Sequence, residues 1–432
     1  MNIKDIYQLY TTSSGIEINS KKVKKGSLFI ALKGKNFDGN KFSHEAISNG
    51  ALLAIVDNKF FSCKKTVLVE NSIDFLQKLA TYHREKLNRI PIIAITGSNG
   101  KTTTKEILIC ILSKKYKKVH YTKDNLNNHI GIPLTILSMS IDTQISVIEI
   151  GASHEKEIEN MCSIINPDYG YITNFGKAHL KGFKNMKGVI RGKLELYDFL
   201  KKKKKVVFVN GDDPIQLSNS IGMNRYIFSE KKEINPNINI KYLWKKSNLK
   251  SILYVDNITI SSSLVGNYNL YNIASSIAIG NYFKIPFNDL KKAVEEYIPN
   301  NKRSQVVVKK NIKIIIDCYN ANPTSMIKAL TFFNDHIKGI KMVILGDMLE
   351  LGVFSNYEHQ KIVSFIEKSN IDVTFLIGNI FFHVNTSYRI KKFLNKKNFI
   401  EWTKKYIIPK TDYVLLKGSR ELALENLVYF IS

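Results

Sequence analysis

The sequence predicts an α/β protein of three domains, the central one a mostly parallel sheet that carries a phosphate-binding loop. Three observations carry that expectation. At 432 residues the chain exceeds one ordinary core of roughly 100–200 residues. From about residue 90 onward, apolar runs of strand length alternate with helical segments, the pattern of parallel strands buried on both faces. Between the first of those runs and the helix after it lies Gly97-Ser98-Asn99-Gly100-Lys101-Thr102.

The elements follow in order. Residues up to about 88 hold short strand-like runs at Ser27 to Leu32, Leu52 to Val56 and Thr66 to Val69, then a helical segment from Ser72 to Asn88. The character changes at Pro91. Ile90 to Thr96 reads as a fully apolar strand, and a helix follows from Lys101 to Ser113. Further buried strands are expected at Ile145 to Ile150, Tyr169 to Thr173 and Val206 to Asn210, and a helix from Leu270 to Tyr282 closes this part. Tyr297-Ile298-Pro299-Asn300-Asn301 is the expected linker. The last third repeats the alternation. Its strands fall at Ile312 to Ile316, Met342 to Leu345, Val373 to Ile377 and Tyr413 to Leu416. Its helices fall at Thr324 to His336, Tyr357 to Lys368 and Arg420 to Phe430.

Composition narrows the function classes. No stretch approaches the roughly 18 apolar residues that span a bilayer, and Met1 to Asp5 lacks the basic and apolar pattern of a secretory signal. A cytoplasmic protein without membrane insertion is expected. Cys63, Cys110, Cys162 and Cys318 stand far apart, which suggests neither a zinc site nor a disulfide framework. The net charge of +27 invites a nucleic-acid reading. Only seven of the 64 basic residues are arginine, however, and the lysines are spread along the chain. A composition-wide bias explains them better than a built groove, and Lys201 to Lys205 reads as a solvated turn before an apolar strand. No nucleic-acid partner is expected.

The chemistry starts at the glycine loop. Gly97 and Gly100 allow a tight turn that aims backbone N–H groups inward, so an anion can sit at the N-terminus of the next helix. Lys101 then reaches the β- and γ-phosphates, and the Thr102 hydroxyl can ligate Mg²⁺. The usual first glycine of such loops is replaced by Ile95, giving a shortened G-x-x-G-K-T form. Glu149 ends a buried strand, where parallel sheets present ligand groups. It suits a metal, although a carboxylate there can equally serve a helix N-terminus. His179 follows another strand end and could be structural. Asp124 to Pro133 is dense in amides, either a plain turn or a hydrogen-bonding surface.

Taken together and in order, these segments resemble the Mur ligase family. The resemblance runs through Asn19-Ser20-Lys21, Leu28 to Gly34, Phe37-Asp38-Gly39, Thr96 to Thr104, Asn125 to Pro133, Glu149 to Ala152 and Asn174 to Phe183. It continues through Asp317-Cys318-Tyr319-Asn320-Ala321-Asn322-Pro323, Gly346 to Gly352 and Lys417-Gly418-Ser419-Arg420. The Tyr319 to Pro323 string is similar to the branch that adds a dipeptide, whereas other branches usually carry a histidine-containing string there. Lys21 departs from the arginine that often follows the serine, keeping the charge but losing the bidentate fork.

That resemblance implies three domains: a UDP-sugar-binding domain over 1–88, an ATP-binding domain over 89–298 and a Rossmann-like domain over 299–432. It implies an ATP-dependent ligase of peptidoglycan synthesis, acting on UDP-N-acetylmuramoyl-tripeptide and D-alanyl-D-alanine as a monomer. ATP and Mg²⁺ are the implied cofactors, with Lys101, Lys193 and His179 as catalytic residues. Lys193 matches a lysine carbamylated by CO₂, which turns a cation into an anion. The nucleotide would be held by Gly97, Ser98, Asn99, Gly100, Lys101, Thr102, Thr103, Asn272, Arg303, Asp317, Tyr319 and Asn322. Ser20, Lys33, Asp38, Asn127 and Asn128 would bind substrate, and Thr102, Glu149 and His179 the metal.

Overall fold

A computed structural model describes residues 2–34, 36–245, 250–255 and 257–431. The chain forms two compact units. The first comprises Met1–Ala94, Tyr116–Gly151 and Glu157–Gly170, and the second Ile95–Lys115, Ala152–Lys156 and Tyr171–Ser432.

The first unit opens with helix Ile3–Thr12, which the sequence reading left unassigned. Asn2 and Asp5 cap its start reciprocally. A parallel four-stranded sheet follows, in the order Ile16–Glu17, Leu28–Ile30, Leu53–Val56, Thr66–Leu68. Ile16–Glu17 was not expected, and the other three are shorter than expected by one to three residues. Helix Ser72–Lys86 starts at Asn71, whose side chain accepts from the N–H groups of Ile73 and Asp74. A further run of strands has the order Tyr169–Ile172, Ile92–Thr96, Ile145–Glu149, Val119–Tyr121; the last two belong to the first unit, and the other two begin in it and end in the second. Ile92–Thr96 and Ile145–Glu149 are buried along their whole length, as expected of strands covered on both faces.

In the second unit, strands run in the order Ile258–Ser262, Lys250–Val255, Ile238–Lys245, Asn224–Ser229, Val206–Asn210, Tyr169–Ile172. Val206–Asn210, Asn224–Ser229 and Ile238–Lys245 pair in parallel. The last of these then enters an antiparallel meander with Lys250–Val255 and Ile258–Ser262. Helix Lys101–Leu112 packs against helix Asn267–Tyr282. Gly280 makes that approach possible, since a Cβ there would meet Ile111 Cγ2 at 2.6 Å.

The C-terminal sheet has the order Gln305–Lys309, Ile312–Asp317, Tyr413–Lys417, Lys341–Gly346, Val373–Ile377, Ile390–Phe393. All neighbours are parallel except the first hairpin. Ile314, Met342, Ile344, Phe375, Phe399, Val414 and Leu416 form its core. Helix Pro323–His336 lies between Ile312–Asp317 and Lys341–Gly346 in the chain, so the ends of the parallel strands gather Asp317, Lys417 and Asp347 along one edge.

One expectation needs correction. Arg420 to Phe430 is not an α-helix but two 3₁₀ segments, Arg420–Leu422 and Leu424–Phe430, parted by Ala423 at φ 46°. A left-handed residue cannot continue a right-handed helix. Among the described residues, no helix is long and apolar enough to cross a membrane.

Candidate active site

The phosphate loop connects strand Ile92–Thr96 to helix Lys101–Leu112, as its sequence implies. Two glycines shape it. Gly97 has φ 137°, and a Cβ there would lie 2.0 Å from Thr173 Oγ1; Gly100 has φ 83°, with Asn272 Oδ1 at 2.3 Å from the same imaginary atom. Both positions therefore need glycine for conformation and for space. The loop backbone is bound to the segment after strand Tyr169–Ile172. Ser98 N donates to Asn174 O at 3.0 Å, and Asn99 O accepts from Thr173 Oγ1 at 2.6 Å and Asn174 Nδ2 at 2.9 Å. Ser98 Oγ donates to Gly176 O and accepts from Gly176 N. Lys101 Nζ folds back onto Gly97 O at 2.7 Å and Ser98 O at 3.3 Å. Those carbonyls hold the ammonium at the place where a phosphate would recruit it. Thr102 and Thr103 are buried on the first helical turn.

In the first unit, Glu149 is 2% exposed at its strand end, and its Oε1 accepts from Asn127 Nδ2 at 2.8 Å. Asn127 O also accepts from Gly151 N at 2.8 Å. Asn127 thus grips the strand end by both backbone and side chain. Asn128 instead stabilises its own turn, its Oδ1 accepting from the N–H groups of Ile130 and Gly131. The amide-rich segment serves as both a local turn and a carboxylate holder. Lys33 and Asp38 face each other across a two-stranded antiparallel pair. Asp38 Oδ1 accepts from Asn40 Nδ2 and N, and these bonds hold its carboxyl below the usual range. Ser20 is buried in the turn that Asn19 caps.

His179, in the second unit, adopts a left-handed conformation at φ 52° before the short helix Leu180–Phe183. Its Nδ1 is in contact with Glu350 Oε2, though without the alignment of a regular hydrogen bond. That contact, together with the Lys181 charge, holds the Glu350 carboxyl below the usual range. Lys193, on helix Met186–Lys202, is 1% exposed. Its Nζ donates to Ala152 O at 3.3 Å and lies 5.1 Å from the centre of the Phe183 ring. The preceding Gly192 lets Phe183 approach, for a Cβ would meet its ring at 2.4 Å. A lysine this buried is not the solvated side chain that lysines usually are.

The C-terminal segments meet the phosphate loop within the same unit. Asn322 caps helix Pro323–His336 through Ser325 N, and its Nδ2 donates to Asn99 Oδ1 at 2.7 Å. Lys177 N donates to Thr324 Oγ1 at 2.8 Å, and Lys177 Nζ to Glu358 Oε1 at 2.5 Å. Asp317 forms an ion pair with the buried Lys417 at 2.5 Å. Tyr319 lies close to two cations, with the Arg303 guanidinium carbon 3.7 Å and that of Arg420 4.7 Å from its ring centre. Asn272 is buried beside Gly100 and donates to Asn269 Oδ1 at 2.9 Å.

Of the residues expected from sequence, Gly97 to Thr103, His179, Lys193, Asn272, Arg303, Asp317, Tyr319 and Asn322 all fall in the second unit, and Glu149, Ser20, Lys33, Asp38, Asn127 and Asn128 in the first. Sequence reasoning missed Asn174, Thr324, Glu350, Glu358 and Lys417 as partners. Asn174, Glu350 and Lys417 lie in segments that carry the family resemblance, but contact across more than 70 residues leaves no local signal.

The donor chemistry fits Mg²⁺. Glu149 is a buried carboxylate with one oxygen steadied by an amide, Thr102 a hydroxyl at a helix start, and His179 an imidazole whose Nδ1 faces a carboxylate, so that Nε2 is the nitrogen open to a ligand.

A glycine loop between a buried strand and a helix defines a P-loop nucleotide-binding enzyme. The chain belongs to the Mur ligase family. Residues 95–280 match the Mur ligase middle domain, residues 302–420 the Mur ligase glutamate ligase domain and residues 12–91 the catalytic domain description of the same family. It is 31% identical to the UDP-N-acetylmuramoyl-tripeptide–D-alanyl-D-alanine ligase of Bacillus subtilis, over 97% of this chain and 93% of that one. Among solved structures, it superimposes on MurF from Acinetobacter baumannii with a TM-score of 0.86 at 27% identity, covering 96% of this chain and 92% of that one. MurF ligase from Thermotoga maritima in complex with ADP gives 0.82 at 29% identity, covering 96% of both chains.

Proposed function

We propose that this chain joins D-alanyl-D-alanine to UDP-N-acetylmuramoyl-tripeptide in the cytoplasmic stage of peptidoglycan synthesis. It is an ATP-dependent carbon–nitrogen ligase. The observation that carries the reading is the joint presence, in one near-full-length match, of the glycine loop and the Asp317 to Pro323 segment that meets it at Asn322 and Asn99.

A carboxylate is a poor electrophile and must be activated. One of its oxygens attacks the γ-phosphorus of ATP, the bond to the β–γ bridging oxygen breaks, and ADP leaves an acyl phosphate. The amine of the dipeptide then adds to the acyl carbon, loses a proton, and the tetrahedral intermediate collapses by expelling inorganic phosphate.

The first step brings two anions together, so this chain must offset their repulsion. Lys101 does so by leaving Gly97 O and Ser98 O for the phosphates. Backbone N–H groups of 97–102 hold the phosphate oxygens, and Arg303 turns from Tyr319 to the same charge. Thr102, Glu149 and His179 are the residues expected to hold Mg²⁺, which when bound would neutralise further charge. Asn272 contacts the adenine, and Asp317, Tyr319 and Asn322 complete the nucleotide site. Asn127 and Asn128 face the peptide end of the substrate, while Ser20, Lys33 and Asp38 bind its UDP-sugar end within domain 1–88. Domains 89–298 and 299–432 take the nucleotide and the dipeptide. The chain works as a monomer.

Lys193 is the carbamylated lysine of this reading. Its burial against Phe183 and Ala152 sets it apart from the solvated lysines of the surface and supports that assignment. Lys193→Ala is expected to be badly impaired and partly rescued by short carboxylates; an unimpaired variant removes the carbamate. The reaction itself is tested by mass spectrometry of the nucleotide product. UDP-MurNAc-pentapeptide should form with ATP and D-alanyl-D-alanine, and a product extended by a single amino acid would contradict the proposal.

A further inference from the structure

Four consecutive residues, Asp347 to Glu350, are each fixed by a different segment, the first three by the C-terminal fold and Glu350 by residues 179–181. Both Asp347 carboxylate oxygens accept backbone N–H bonds, from Ile380 and Phe381, at 2.9 Å. Met348 N donates to Nε2 of the fully buried His359 at 2.9 Å, and His359 Nδ1 donates in turn to Ser355 O at 2.7 Å. Leu349 N donates to Ser419 Oγ at 3.1 Å, and Ser419 is 2% exposed. Glu350 then turns left-handed at φ 62° and accepts Lys181 N on its carbonyl at 3.0 Å. Its carboxylate lands on Nδ1 of His179, itself left-handed. Two non-glycine residues in that conformation, facing each other, are costly to form unless their surroundings demand it. Buried anchors such as these commit a loop to one geometry.

We propose that Glu350 is a positioning residue for His179. Its carboxylate holds the Nδ1–H tautomer and leaves the Nε2 lone pair to the metal, so the imidazole becomes a competent ligand only when the 347–350 loop is seated. Placement of the C-terminal segment and assembly of the metal site are thereby one event. The proposal rests on the reading of His179 as a Mg²⁺ ligand.

The test uses the full chain saturated with ADP, with Mn²⁺ as the probe and its binding read by electron paramagnetic resonance. The wild type is compared with His179→Ala, Glu350→Ala and Glu350→Gln. The Glu350 side chain is 60% exposed, so its variants should keep the wild-type melting temperature. Loss of an orienting partner should weaken Mn²⁺ binding about 10- to 100-fold in Glu350→Ala, with Glu350→Gln, which keeps an acceptor oxygen, partly restored. In ¹⁵N-histidine spectra, His179 should pass from the Nδ1–H tautomer in the wild type to a mixture in Glu350→Ala. Weaker binding in His179→Ala but unchanged binding in Glu350→Ala would overturn the positioning role alone. Unchanged binding in His179→Ala would overturn the metal-ligand reading, and the proposal with it.

Discussion

Loops 97–102 and 347–350 are built in opposite ways. The first takes most of its shape from its own residues, two left-handed glycines, a lysine folded onto its own carbonyls and a helix start immediately after, and Thr173, Asn174 and Gly176 only brace it. The second contains no glycine and borrows its shape from His359, Ser419 and the N–H groups of Ile380 and Phe381. A self-made loop fails when its own residues change. A borrowed loop fails when residues far along the chain change, while its own sequence stays intact.

The largest expected effect is on the self-made loop. Lys101→Ala should lower the turnover of ATP-dependent ligation by at least about 10²–10³-fold, since a charged donor to the transferring phosphoryl group is lost. Its melting temperature should stay near that of the wild type, because the Gly97 and Ser98 carbonyls that Lys101 Nζ contacts can be taken up by water. Next comes Gly97→Ala. The added methyl would have to displace Thr173, and both strained backbone and overpacking weigh against it, at about 1–3 kcal/mol each. Thermal unfolding and ADP titration should show a lower midpoint and weakened nucleotide binding together.

Two smaller effects sharpen the contrast. Burial outweighs the nearby Asp347 and Glu358 charges and pushes the His359 imidazole below its ordinary pKa. The unfolded chain therefore binds a proton more readily than the folded one. The stability this gives is present above pH ~6.5 and is lost as pH falls through the folded-state value. Protonation also removes the Nε2 acceptor that Met348 N needs. Denaturant unfolding of the wild type should weaken from pH 7 to 5 more steeply than that of His359→Gln; equal slopes would detach the loop from this histidine. The mildest change is Ser419→Ala. It strands Leu349 N–H at a cost of about 1–3 kcal/mol. Ligation should slow while ADP affinity, which belongs to the other loop, stays unchanged, as isothermal titration would show.

The same contrast explains what the sequence revealed. Gly97 to Thr102 was legible because its chemistry lies in adjacent residues and backbone groups. The buried strands Ile92–Thr96 and Ile145–Glu149 were legible as uninterrupted apolar runs. Lys193 stood out only through resemblance, for nothing beside it distinguishes a buried lysine among 57. Glu350 and its supports were hidden, because His359 and Ser419 reach the loop across 11 and 70 residues. The strands within 224–262 were hidden too, where lysine and asparagine interrupt the apolar pattern. At Arg420 to Phe430 the pattern suggested a helix, but the left-handed Ala423 divides it.

The central claim is that the nucleotide chemistry at Gly97 to Thr102 serves peptide-bond formation. The most direct measurement is phosphate release from ATP by the purified chain, with UDP-MurNAc-tripeptide and D-alanyl-D-alanine supplied separately and together. Sustained release is expected only when both are present, one phosphate for each pentapeptide formed. Steady release with neither substrate, or release stimulated by nucleic acid instead, would contradict it.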